Sequence, residues 1–238
     1  MSTVSAAVLD PLLAADPAGP RITYYDDATG ERIELSTVIM ANWAAKTANL
    51  LRDEMGAGPG TRVAVLLPAH WQTAAVLFGI WWIGSEVLLG GGSDNSADMA
   101  LCTRERLDEA DEAVAGGEVA VLSLDPFGKP AEDLPIGVTD YATAVRVHGD
   151  QIVPERVPGP ALAGQSVAEV LESARNAAAT QGFTGSDRVL STASWNTPDE
   201  LVQNLLAVFA VGASLVQVAN ADAGAQDRRR TTEKVTRG

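Results

Sequence analysis

Cysteine is almost absent from this sequence, since Cys102 is the only one in 238 residues. A single cysteine excludes an intrachain disulfide, and with only two histidines the chain lacks the ligands of a structural zinc site. We therefore expect no bound metal. Cys102 falls within a predicted strand, where it is most simply a small buried side chain. A chain without disulfides suits a reducing compartment, and we predict a cytoplasmic protein.

Long apolar runs and a leader-like start are also missing. The first residues, MSTVSAAVLDPLLAADP, are interrupted by Asp10 and Pro11, unlike the basic, apolar and small-residue order of a signal peptide. The most apolar stretch, at 74–84, is too short to span a bilayer and contains two glycines. We therefore expect no membrane partner.

Positive charge is scarce, with 17 Lys and Arg against 31 Asp and Glu, for a net charge of −14. A surface of this sign repels phosphate backbones, so nucleic acid is not expected as a partner. The one basic cluster, RRR at 228–230 followed by Lys234 and Arg237, falls in the last residues. A tether to an anionic surface is one interpretation of this cluster, but we favour a polar, disordered tail over 221–238.

Local patterns predict an α/β chain. Residues 21–26 and 31–36 alternate around a turn, which predicts a hairpin, and Ser36 is a good N-cap for the helix that follows. Further along, short apolar runs typical of strands buried on both faces alternate with helical segments. The predicted strands after the hairpin are 62–67, 86–89, 99–103, 118–124, 187–192 and 214–218, and the predicted helices are 2–15, 37–55, 70–83, 104–115, 141–147, 166–181 and 198–211.

This alternation of strands and helices indicates a doubly wound, mostly parallel sheet flanked by helices. We assign residues 1–220 to a single α/β domain. Six prolines between 125 and 160 mark that segment as a connecting arm. Trp81 and Trp82 point to different sides of their predicted helix, so one of them could be exposed as a contact surface.

Two stretches contain a characteristic order of motifs. Residues 22–89 have the hairpin, the turn GAGPG at 56–60, the strand RVAVLL, Pro68 and an apolar helix that ends in IWWIGSEVLL. Residues 187–218 read DRVLSTASWNTPDELVQNLLAVFAVGASLVQV. Together they resemble the N-terminal domain of the adenylate-forming superfamily, which includes acyl-CoA synthetases, luciferases and the adenylation domains of peptide synthetases. The resemblance implies the fold of that domain over most of the chain.

The same resemblance locates a departure from the family between the two stretches. There the superfamily has a phosphate loop similar to Ser-Gly-Thr-Thr-Gly-x-Pro-Lys-Gly, whose backbone N–H groups and lysine hold the phosphates of ATP. This chain has PALAGQS at 160–166, without the Ser/Thr/Gly run or the lysine. Gly164 is the single candidate left for contact with a cofactor. The sequence also ends before the family's adenine-binding segment, its Mg²⁺-orienting acid and its lid with the catalytic lysine, so no catalytic residue carries over.

Trp195 stands where the family has an aromatic residue near its acyl pocket, so the resemblance suggests it as a ligand contact. Other candidates have simpler explanations. His70 follows a strand and could face a crevice, although a histidine at a helix start is more often a surface or packing residue. His148 and Asp150 form at most a weak pair. The segment GGGSDN at 90–95 matches neither a nucleotide motif nor a calcium loop, so we expect a turn there.

We therefore interpret the sequence as a degenerate acyl-CoA synthetase homologue, truncated and non-catalytic on its own, that acts as a binding or interaction module without a cofactor. Its expected partners are another protein, a second copy of the chain, or an acyl ligand. The alternative is an ATP- and Mg²⁺-dependent fragment that activates a carboxylate, an AMP-forming acid–thiol ligase completed by a partner. A third interpretation is a structural remnant that oligomerises through uncovered apolar surface.

Overall fold

The computed structural model describes residues 2–90 and 97–238, so the predicted turn at 90–95 lies, apart from Gly90, outside the described residues. The strands are β1 (Pro20–Asp26), β2 (Glu31–Ser36), β3 (Arg62–Leu66), β4 (Glu86–Leu89), β5 (Met99–Cys102), β6 (Glu118–Val121), β7 (Thr139–Asp140), β8 (Arg188–Ser191) and β9 (Ser214–Ala219). The helices are α1 (Val4–Ala15), α2 (Thr37–Asp53), α3 (Trp71–Trp82), α4 (Leu107–Val114), α5 (Tyr141–Ala144), α6 (Val167–Gln181), α7 (Pro198–Leu201), α8 (Ala207–Ala210) and α9 (Gln226–Thr232).

The described strands form two sheets where we predicted one. The first has the order β2-β1-β9-β8, in which only the hairpin pair β1–β2 is antiparallel, and Ile22 of β1 lies opposite Leu215 of β9. The second has the order β4-β3-β5-β6-β7 and is parallel throughout. The α/β class and the parallel pairing are as predicted. Strands β8 and β9, which follow the arm, join the sheet of the hairpin and not that of β3–β7. Local periodicity does not show which strands pair, so the sequence did not reveal the second sheet.

The second sheet is buried on both faces, as the nearly continuous apolar strand β3 indicates. Val63 and Val65 point into the main core, which also contains Ile22 and Leu215 of the first sheet and most of α3. Leu66 points to the other face, into a smaller core beneath α4. The main core therefore lies between the two sheets and joins them.

Helix α3 is the centre of this core, and all twelve of its residues are buried. Trp81 and Trp82 are 1% and 5% exposed, so the prediction that one of them marks a contact surface is wrong. The side expected to face solvent is covered by other parts of the chain, and the Trp81 indole N–H donates to the Ala161 carbonyl (2.8 Å). Gly79 lets α2 pack closely, because a Cβ there would lie 2.8 Å from Cβ of Thr47.

Residues 221–238, which we predicted to be a disordered tail, contain α9 and pack against the first sheet. Arg229 and Glu233 are 7% and 6% exposed; Arg229 pairs with Asp27, and Glu233 pairs with Arg188 and Arg32. The tail also extends the sheet at its β8 edge, where the Leu190 N–H donates to the Arg237 carbonyl. The carboxylates and the strand edge that order this segment lie far away in sequence, so its own charge pattern did not reveal them.

Within the described ranges, no helix combines the length and the apolar character that crossing a bilayer requires.

Candidate functional site

A crevice of about 860 Å³ opens where strands of both sheets end. The chain that leaves β1, β9, β3 and β6 contributes to its wall, and the carboxyl ends of parallel strands are the usual place for ligands in α/β folds. Two residues of this wall, Leu124 and Asn220, have a left-handed backbone, with φ of 57° and 48°. Asn tolerates this conformation and Leu does not, so the turn at Leu124 is strained, as is common at functional sites.

His70 lines this crevice and is the N-cap of α3. Its Nδ1 accepts a hydrogen bond from the Gln72 N–H (3.1 Å), which leaves Nε2 to carry the proton, 3.8 Å from a carboxylate oxygen of Glu31. The imidazole is 2% exposed and packs edge-on against Tyr24, with ring centroids 4.3 Å apart. Burial lowers the pKa of His70 although the Glu31 carboxylate opposes this. His70 is thus a neutral helix cap at the crevice wall. It both faces a crevice and packs at a helix start, the two interpretations that the sequence allowed.

The crevice is acidic. Burial alone would raise the pKa of Asp26, but hydrogen bonds from Asn220 and Ala28 outweigh it and lower the pKa. Similarly, the N–H groups of Lys129 and Phe127 outweigh burial and lower the pKa of Asp125. Both carboxylates are therefore ionised at neutral pH. Of the residues lining the crevice, Arg32 is the only lysine or arginine, and it is already paired with Glu233 and Glu34.

The turn at 161–166 contains the predicted cofactor contact, Gly164. Its backbone N–H donates to the carboxylate of Glu86, the 6% exposed first residue of β4. The other N–H groups of the turn are also paired. Those of residues 161 and 162 donate to the carbonyl of residue 165, and that of residue 165 donates back to the carbonyl of residue 162. The N–H of residue 163 donates to the Val87 carbonyl, and that of residue 166 donates to the Glu169 side chain. Ala163 and Gly164 both have positive φ, at 47° and 82°. The turn is thus closed by internal hydrogen bonds, and no amide of 161–166 is left to hold an anion.

Trp195, the predicted ligand contact, is 1% exposed and belongs to the main core. In the part of the chain that the structure describes, its indole N–H has no hydrogen-bond partner. It does not line the crevice. Its role as a ligand contact stays a prediction.

The remaining sequence candidates supply no reactive group. Burial raises the pKa of the Cys102 thiol to about 12, so it is protonated and unreactive at neutral pH. His148 Nε2 lies 2.9 Å from the carboxylate of Glu54, a partner that the sequence did not suggest. Over residues 2–90 and 97–238, no three His, Cys, Asp or Glu side chains are grouped so that they could hold a metal ion.

A second pocket adjoins the crevice, and the sequence did not reveal it. It shares Pro126 and Phe127 with the crevice and is walled by α2, the start of α3 and α5. Its aromatic residues are spread along the chain from Trp43 to Tyr141 and follow no common motif. The only sequence signal was the position of Phe127 in the proline-rich arm, in a chain with 5% aromatic residues.

Comparisons with known proteins place this geometry in context. No family model matches the chain. A protein of Mycobacterium tuberculosis (strain ATCC 25618 / H37Rv), described as a TIGR03089 family protein, is 68% identical over 240 residues, which cover 99% of this chain and 98% of that protein.

Solved structures of acyl- and aryl-CoA ligases have a similar fold. A Brucella canis acyl-CoA synthetase is 18% identical with a TM-score of 0.81 over 98% of this chain and 46% of its own. The benzoate CoA ligase of Burkholderia xenovorans LB400 is 16% identical with a TM-score of 0.76 over 99% of this chain and 49% of its own. The anthranilate CoA ligase AuaEII, in complex with anthranoyl-AMP, is 16% identical with a TM-score of 0.71 over 98% of this chain and 48% of its own. The chain spans just under half of these ligases, and the likeness confirms the predicted α/β class with mostly parallel strands flanked by helices.

Proposed function

We propose that this chain, which belongs to the TIGR03089 family, is a degenerate relative of the acyl-CoA synthetases that is non-catalytic on its own and acts as a binding or interaction module. In this proposal the scaffold keeps its sheets, its core and the crevice at the strand ends. The turn at 161–166 offers no site for the triphosphate of ATP.

The observation that carries the proposal is the closed turn at 161–166. Formation of an acyl-adenylate requires a positioned triphosphate, and backbone N–H groups at a loop supply much of that positioning. Here each N–H of the turn already has a partner, and the Glu86 carboxylate takes the Gly164 N–H that an anion would need. A phosphate approaching Gly164 would meet the buried Glu86 side chain, which already takes that N–H. The phosphates of ATP do not fit these residues.

The charge of the crevice supports the same conclusion. Asp26 and Asp125 are ionised at neutral pH, Glu31 lies in the same wall, and the one arginine is paired. Charges of one sign across a crevice with low-dielectric walls repel a ligand of that sign. The crevice therefore disfavours a nucleotide polyphosphate and leaves room for a neutral or less charged ligand.

Isothermal titration with Mg·ATP tests the proposal, together with an assay for pyrophosphate release across a panel of carboxylic acids. We expect no saturable heat and no pyrophosphate. Glu86→Gln is the matched control for charge, because its side-chain oxygen can still accept from the Gly164 N–H, and it should bind Mg·ATP no better than the unchanged protein. Micromolar binding of Mg·ATP, or acid-dependent release of pyrophosphate by the chain alone, would overturn the proposal.

A second candidate is a carboxylate-activating fragment completed by a partner, an AMP-forming acid–thiol ligase that would use ATP and Mg²⁺ only in the complex. Two observations favour it: the chain spans just under half of the ligases with its fold, and the arm exposes large apolar side chains. Those at least three-quarters exposed are Phe127, Ile136, Val147, Val153 and Val157. Release of pyrophosphate only when a candidate partner protein is added would support this candidate against the first.

A further inference from the structure

The second pocket is an aromatic pocket, which we define by Trp43, Trp71, Phe127 and Tyr141. Four rings contribute to one small wall in a chain that has few aromatic residues. Trp43 and Trp71 meet edge to face, with centroids 6.2 Å apart and planes at 63°. This arrangement presents ring faces and edges to a flat ligand, which is the geometry that aromatic pairs prefer.

The size of the pocket limits what can enter it. Its volume is about 130 Å³. An apolar cavity of about 150 Å³ in another protein stays dry and binds benzene, so the space here suits one six-membered ring and not a fused system. Two of the rings already use their polar atoms: the Tyr141 hydroxyl is 2.7 Å from Thr47 Oγ1, and the Trp71 indole N–H donates to Glu31 (3.4 Å). A ring bound among them would need no polar group at its inner end.

The outer wall of the pocket is held in place before any ligand arrives. Phe127 is 84% exposed, yet its turn is fixed by Asp125, whose side chain accepts from the N–H groups of Phe127 (2.8 Å) and Lys129 (3.2 Å). The Asp125 carbonyl also accepts from the Gln72 side chain (3.1 Å). A large apolar ring kept exposed by an ordered turn is characteristic of a contact site, and pre-ordering lowers the entropy cost of binding.

Arg146 is the one charged side chain among the residues that line this pocket. Its guanidinium donates to the Gly128 carbonyl and forms no ion pair with the acidic residues that the structure describes. The planar fork of its N–H groups suits a carboxylate. The rim therefore favours a negative substituent on the ligand even though the protein as a whole is acidic.

We propose that the aromatic pocket binds a single aromatic ring with an anionic substituent, the ring lying among Trp43, Trp71 and Phe127 and the anion beside Arg146. This inference rests on the proposed binding role and gives that role a ligand class. It concerns neither the turn at Gly164 nor Trp195.

Fluorine NMR with three probes of one ring and different charge tests the inference: 4-fluorophenylacetate, 4-fluorobenzyl alcohol and 4-fluorobenzylamine. The anion should bind best and the amine worst. Phe127→Ala, which alters an exposed side chain, should weaken binding of the anion about threefold to tenfold by loss of ring contact. Arg146→Ala should weaken the anion about threefold and leave the alcohol unchanged. Ala142→Leu, which fills the pocket, should abolish binding of all three.

Val147→Ala, an exposed residue outside the pocket lining, is the control and should bind like the unchanged protein. The inference is overturned if none of the probes binds at millimolar concentration, if the amine binds best, or if Phe127→Ala and Ala142→Leu both bind as well as the control. Failure of the proposed function has a different signature, which is binding of Mg·ATP. If the protein binds neither Mg·ATP nor any of the three ring probes, this inference is overturned and the proposal about the closed turn is not contradicted.

Discussion

Substitution of Glu86 tests whether a buried carboxylate closes the turn at 161–166. In Glu86→Ala the Gly164 N–H loses its acceptor at a position where the former partner was only 6% exposed. A hydrogen bond to a charged group contributes about 1.5–3 kcal/mol, and loss of the carboxylate also removes the cost of burying it. We therefore expect the free energy of unfolding to fall by about 2 kcal/mol, near the lower end of that range.

Urea unfolding followed by circular dichroism measures this change, and thermal unfolding should show a Tm lower by about 4–8 °C for a chain of this size. Glu86→Gln keeps an oxygen that can accept the same N–H, so its loss should be about 1 kcal/mol. Glu118→Gln alters an exposed carboxylate at the start of β6 and should stay within about 0.5 kcal/mol of the unchanged protein. If Glu86→Ala unfolds at the same urea concentration as Glu118→Gln, the carboxylate does not close the turn and the reasoning is refuted.

Three further predictions follow from buried groups. Burial alone would raise the pKa of Glu233, but hydrogen bonds from a tyrosine and two arginines lower it, so the stability it contributes is present above the unfolded pKa and is lost as pH falls through the lowered value. Acid titration of stability should therefore be less steep in Glu233→Gln; an identical slope would contradict this. Gly79→Ala should cost about 1–3 kcal/mol in urea unfolding because of its contact with Thr47, whereas Gly58→Ala, with nothing within 4 Å, should cost less than 1. Proton NMR should give His70 a pKa below its ordinary 6.5, and a value above 6.5 would contradict its burial as a neutral cap.

Much of the secondary structure could be predicted because its signals are local. Ser36 caps α2 by accepting from the Ile39 N–H, and Ser166 forms a capping box with Glu169, so both helix starts follow from residues three positions apart. The nearly continuous apolar composition of β3 predicts its burial on both faces. Such features depend on neighbours in sequence, which a single chain displays directly.

The remaining features depend on residues that meet across the fold. The tail is ordered by Arg229 with Asp27, and α3 is covered on the side that we expected to be exposed. The pairing of Gly164 with Glu86 joins positions 78 residues apart. From the sequence we predict that 160–166 lacks the phosphate-loop motif, but the contact of this turn with the Glu86 carboxylate could not be predicted. The aromatic pocket was missed for the same reason, since no spacing relates its rings.

The central claim is that the turn at 161–166 has no amide free to hold a phosphate, and the amide signal of Gly164 tests it most directly. In nitrogen-15 labelled protein, correlation spectra recorded during a titration with Mg·ATP, and separately with pyrophosphate, report each N–H of the turn. We predict that the signals of 161–166 stay in place at millimolar ligand. Saturable shifts centred on the Gly164 signal would contradict the claim, because they would show that a nucleotide or its phosphates bind at this turn.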